Sequence, residues 1–261
     1  MGRPEPGEPD GDETDADVAP RDRVLAPVRT ARETVEAERA EVIAERRAIE
    51  AFVDRVEALS TARGRPTGTG DRVPGTETVA LRTEAPGADL AAVRTAYRET
   101  VMAVDHYGAV YGDDLPESLA AEFGPELAVA VGDGAVGVLT PQLRGALVEA
   151  ADESRDDRAR FVDTLDGELG SLRAAAESVG DLLARLDGGD GAGPAVPGEG
   201  AAVLDRLDAI AARRQERLNR RPEFHRADGH DLCSYLYADA DWTYPVLAGV
   251  ARFRSVLEAR R

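Results

Sequence analysis

Apolar side chains recur every seven residues between Val28 and Val56. The series is Val28, Val35, Val42, Ile49 and Val56, with Phe52 and Leu59 three positions further on in the last two repeats. Glu33, Glu36, Glu41, Arg32, Arg39, Arg46 and Arg47 fill the space between them. This is the pattern of a helix that buries one narrow stripe against another helix, as in a coiled coil. Pro27 suits the first helical turn, where no N–H is needed, so a helix is expected from Pro27 to Ala62. Ala31, Glu38 and Glu45 weaken the seam, because two of these positions put a carboxylate where an apolar side chain belongs.

A second helix is expected after Asp89, with Leu90, Val93, Tyr97, Val101, Val104 and Tyr111 on one face at three-and-four spacing. Asp114-Leu115-Pro116-Glu117 is a capping signature and predicts a short helix running towards Phe123. Thr140 followed by Pro141 starts another helix. Leu143, Leu147, Phe161, Leu165, Leu169, Leu172, Val179, Leu183 and Leu186 give it a second long seam. Gly167 and Gly170 predict a kink or break in that seam. Two more amphipathic helices follow, through Val203, Leu207 and Ile210 and through Val246, Val250 and Phe253.

The expected organisation is all-α. An acidic disordered tail covers residues 1–21, a coiled-coil helix 22–62, a linker 63–88 and a central helical region 89–186. A flexible linker at 187–200 and a small C-terminal helical unit at 201–261 complete an elongated bundle. No strand pattern stands out, though Val79, Ala80 and Leu81 would suit one short extended piece. The two seams either cover each other within the chain or pair with a second copy or another helical protein, since an isolated one-stripe helix is marginal.

Composition adds habitat to this picture. The 261 residues carry 50 acidic and 32 basic side chains, a formal net charge of −18, and every basic one is Arg. An acidic surface without lysine fits a protein of concentrated brine, where the screening length falls to about 3 Å and carboxylate repulsion is muted. The same charge repels phosphate and makes nucleic acid an unfavourable partner. No run of 18 apolar residues exists, so no membrane-spanning helix is expected. The N-terminus lacks a secretory signal, and the single Cys233 cannot form an internal disulfide, which reads as cytoplasmic.

Chemistry-bearing residues gather in one place. Gly132, Asp133, Gly134 and Gly137 resemble a phosphate loop only superficially, because such a loop needs a lysine, and a flexible connection is the better account. His106 has no partner at a telling spacing. The segment 213–245, by contrast, holds the single Trp, the single Cys, two of three His and three of six Tyr. His225, His230 and Cys233, with Asp228 or Asp231, are candidate ligands for zinc, although His-x4-His-x2-Cys matches no strong template. Cys233 with either histidine is a weaker nucleophile-and-base candidate. Arg213, Arg214, Arg217, Arg220, Arg221 and Arg226 are candidate anion or nucleic-acid contacts. The leading account is structural: Tyr235, Tyr237, Trp242, Tyr244 and Pro245, with Leu236, are expected to be buried as the anchor of the C-terminal unit. On that account no cofactor or catalytic residue is expected.

The tail His230-Asp231-Leu232-Cys233-Ser234-Tyr235-Leu236-Tyr237, followed by Trp242-Thr243-Tyr244-Pro245-Val246-Leu247, resembles the C-terminal signature of an uncharacterised haloarchaeal family built on a domain of unknown function. The resemblance extends over the chain from about residue 24. It implies a soluble helical protein of halophilic archaeal origin and brings no activity with it. The leading functional expectation is therefore a non-enzymatic cytoplasmic interaction or scaffold protein. A metal- or ligand-binding protein centred on residues 225–245 and a regulator using the Arg213–Arg226 cluster on nucleic acid are the alternatives.

Overall fold

The computed structural model describes residues 19–61, 88–187, 199–219 and 231–259. Among them the regular elements are helical: α1 (Pro20–Ala58), α2 (Leu90–Arg98), a 3-10 turn (Val101–Ala103), α3 (Tyr107–Val110), α4 (Leu115–Phe123), α5 (Pro125–Val131), α6 (Pro141–Asp187), α7 (Glu199–Asn219), α8 (Leu232–Leu236) and α9 (Pro245–Ala259). An isolated antiparallel bridge joins Asp89 to Val138. The protein is all-α, as the periodicity requires. Residues 1–18, nearly the whole expected tail, lie outside the described residues, as do Val79–Leu81 and almost all of both expected linkers.

The described residues form two compact units. One contains the chain up to Glu38 together with everything from Leu165 onward; the other runs from Arg39 to Thr164. Helices α1 and α6 therefore contribute to both.

The first seam is real, and its cover comes from within the chain. Val28, Val35, Val42, Ile49 and Val56 are at most 2% exposed. In the 39–164 unit, Ile49, Phe52, Val53 and Val56 join Leu90, Val93, Tyr97, Leu119, Phe123, Leu139 and Leu147 in one apolar cluster. Its centre is aromatic: the Phe52, Tyr97 and Phe123 rings have centroids 5.4–5.6 Å apart in edge and stacked arrangements. The buried Tyr97 hydroxyl shares a 2.9 Å hydrogen bond with Ser118 Oγ, which satisfies its polar end.

Three expectations about helices and one about a loop need correction. Helix α1 starts at Pro20, not Pro27, and Pro27 lies inside it. The carbonyl that a proline orphans four residues earlier belongs here to Arg23, and Arg252 Nη1 donates to it at 3.2 Å. The expected single helix from Asp89 through Tyr111 is three short pieces. Thr100 leaves helical geometry at φ −121°, ψ −76°, and its Oγ1 donates to the Ala96 carbonyl at 2.7 Å, a local bond that competes with the helical ladder.

Conversely, α6 does not break at Gly167 and Gly170. Arg217 Nη2 donates to the Gly167 carbonyl at 2.6 Å, and a Cβ at Gly167 would lie 3.5 Å from that same nitrogen. Arg217 thus packs on α6 beside this glycine, at a distance that would leave ordinary van der Waals contact with an added Cβ. Finally, the Gly132–Val138 connection is braced rather than loose. Arg94 Nη1 donates to the carbonyls of Val131, Gly132 and Ala135 at 3.0–3.2 Å, and Asp133 pairs with Arg98 at 2.7 Å.

The caps follow the sequence closely. Asp114 and Glu117 form a reciprocal capping box at the start of α4. Thr140 Oγ1 accepts from the Leu143 amide at 3.1 Å, and Asp89 accepts from Ala91 at 3.2 Å. These side chains satisfy amides that a helix start otherwise leaves without partners.

Candidate functional site

Burying a charge is costly unless partners surround it, so buried ionic side chains are the natural places to look for chemistry. Among the described residues, each unit has one such cluster.

In the unit that includes Leu165 onward, Glu168 of α6 is completely buried and Arg214 of α7 is 4% exposed. Arg214 grips the carboxylate with both ends of its fork, Nη2 to Oε1 at 2.6 Å and Nη1 to Oε2 at 2.9 Å. The Tyr237 hydroxyl donates to Oε1 at 3.0 Å. Arg214 also reaches Ser171 Oγ at 2.9 Å and Cys233 Sγ at 3.6 Å. Burial opposes the charge on Arg214, but the hydrogen-bonded carboxylate of Glu168 outweighs it and raises its pKa above the ordinary arginine value. For Tyr237, burial and then the same carboxylate push the phenol upward, which keeps it a neutral donor.

In the 39–164 unit, Arg158 of α6 joins two carboxylates. Its Nε donates to Glu45 Oε2 at 2.8 Å, and Nη1 and Nη2 donate to Glu122 at 2.7 and 2.9 Å. Ser154 Oγ donates to Glu122 as well. The other Glu45 oxygen accepts from the Tyr111 hydroxyl at 2.6 Å and hydrogen-bonds His106 Nε2 at 3.2 Å. Burial favours the neutral form of Glu45, yet Tyr111 and then Arg158 and His106 outweigh it and hold the carboxyl below the usual range. For Arg158 burial is likewise overcome, by Glu122 and Glu45, and its pKa is raised. Glu45 and His106, respectively a flaw in the seam and a residue without a partner when read from sequence, are thus neighbours in one network.

The residues singled out from sequence are dispersed in role. His225, His230, Asp228, Arg220, Arg221 and Arg226 lie outside the described residues. Cys233 is fully buried against Arg214. Asp231 caps α8, accepting from the Cys233 and Ser234 amides at 2.8 and 3.1 Å. Among the described residues no group of three or more His, Cys, Asp or Glu side chains is placed to hold a metal ion. Of the arginines, Arg213 is exposed, Arg214 is consumed by Glu168 and Arg217 by the Gly167 carbonyl.

The expected aromatic anchor divides. Tyr237 and Pro245 are buried, with Tyr237 against Trp242 at a centroid distance of 5.4 Å. Trp242 is half-buried, whereas Tyr235 and Tyr244 are 36% and 41% exposed. Tyr235 instead lies along α1, its hydroxyl donating to Glu38 Oε1 at 2.8 Å. Sequence reasoning missed Glu168 entirely; the one available signal was a lone carboxylate bracketed by Gly167 and Gly170 inside an apolar seam.

A family model matches residues 26–261, described as Domain of unknown function (DUF7260). The chain belongs to the DUF7260 family. No curated protein and no solved structure gives a significant match. In this DUF7260 chain, no helix among the described residues is long and apolar enough to cross a membrane.

Proposed function

We propose that this DUF7260 chain is a non-enzymatic helical interaction or scaffold protein of the cytoplasm that works with a helical protein partner. The observation that carries this reading is the use made of the buried ions. In both units a guanidinium and its carboxylates are spent on one another across helices, with tyrosine hydroxyls and serines completing the set. Such pairs fix which helices pack together and in what register, a role attested for buried polar groups in helical assemblies. A catalytic site would instead aim such groups at a substrate.

The partner engages a surface other than the α1 seam, whose side chains the chain itself covers. A halophilic archaeal habitat fits the net charge of −18 without lysine, and helicity should then rise between low and molar KCl. The function is tested by purifying the tagged full chain from its own cells in high salt, with absolute quantification and light scattering. The reading requires a discrete complex of fixed stoichiometry. A monomer alone, or one zinc per chain that Cys233→Ser releases, contradicts it.

A further inference from the structure

Residues 102–114 connect α2 to α4 through fragments: the end of the 3-10 turn, a bend and turn, and the four-residue α3. In these thirteen positions a single side chain, Tyr107, is buried. Val110 and Tyr111 stand 54% and 42% exposed. The segment leaves through Gly112, whose φ of +64° is costly for other residues. By contrast α4, which follows, buries Leu115, Ser118, Leu119 and Phe123.

Two side chains of this segment, His106 and Tyr111, close onto Glu45 of α1, and both use the same oxygen, Oε1. Arg158 uses the other oxygen and is held independently by Glu122. Withdrawing the segment therefore costs bonds at a partly exposed edge while the buried Glu45–Arg158–Glu122 chain stays paired. Segments with little buried apolar surface open locally well before the whole unit unfolds.

We propose that residues 104–112 form a strap that opens and closes as a unit, latched by Tyr111 and His106 on Glu45 Oε1. Opening uncovers that face of Glu45 without leaving a buried charge alone, and the hinges are Val104, where the 3-10 turn gives way to extended backbone, and Gly112. The five amides of Tyr107, Ala109, Val110, Tyr111 and Gly112 all bond within the segment; a single helical turn released from its packing does not hold such bonds alone, so their exchange reports the opening.

The test is hydrogen exchange of the full chain at fixed pH and salt. In the wild type these five amides should exchange at least tenfold faster than those of Leu119–Phe123 in α4. Tyr111→Phe removes only the latch hydroxyl and should speed the five by about tenfold, as expected for a bond to a charged group, with α4 unchanged. Equal protection of strap and α4 in the wild type overturns the proposal, whether or not the variant folds. So does a variant that leaves the five amides unchanged or speeds strap and α4 alike.

Discussion

Gly249 of α9 lies where an added Cβ would stand 3.0 Å from the carbonyl oxygen of Val24 and 3.7 Å from the Val28 side chain. The helices meet there at backbone distance, so the close approach depends on the absent side chain. Gly249→Ala forces a small shift, and Gly249→Val a larger one, costing about 1–3 kcal/mol as overpacking does. Denaturant unfolding should rank the three chains as Gly, then Ala, then Val. Ala gains about 0.5–1 kcal/mol of helix propensity over Gly, so an alanine variant that is more stable than wild type would show the contact to be loose.

One turn along α9, Arg252 supplies the hydrogen bond that Pro27 denies to the Arg23 carbonyl. Arg252→Met should cost about 0.5–1.5 kcal/mol, the usual net value of a hydrogen bond. Pro27→Ala returns an N–H to the ladder, and in that background Arg252→Met should cost less. A double-mutant cycle by guanidinium unfolding measures this coupling. Equal costs in both backgrounds would mean that the two features are independent.

Acid should loosen the 39–164 unit through Glu45. Its native pKa is depressed below the ordinary value of 4.5. The stability it brings is therefore complete above about pH 4.5 and is lost as the pH falls through the native pKa. Glu45→Gln should be less stable than wild type at neutral pH, with a flatter acid limb in stability against pH. Parallel acid limbs for the two chains would assign the acid sensitivity to other groups.

Much of the fold is legible in residue spacing, because caps and apolar periods are local. Asp114 with Glu117, Thr140 with Pro141, and the Val28–Val56 repeat each carry their own physical cause. What escaped was tertiary. Pro27 sits inside α1 because Arg252, 225 positions away by subtraction of the residue numbers, meets the exposed carbonyl. Gly167 reads as a breaker, yet α6 runs through it and its carbonyl accepts from Arg217. Glu45 and Glu168 interrupt apolar seams, and their value depends on arginines that no local pattern connects to them. The aromatic cluster at 235–244 is only partly core: Tyr237 is buried, whereas Tyr244 is 41% exposed and Tyr235 spends its hydroxyl on Glu38.

The buried ions of both units hold helices to one another. Glu168 and Arg214 give the sharpest test of this, since they are the most deeply buried ion pair among the described residues. Glu168→Leu or Arg214→Met alone leaves one buried charge unpaired and should cost about 3–5 kcal/mol, whereas replacing both is often close to neutral. The measurement is a guanidinium-unfolding cycle over wild type, both single variants and the double variant at one high salt concentration. The account predicts a folded double variant more stable than either single. Single costs that simply add in the double variant would contradict it.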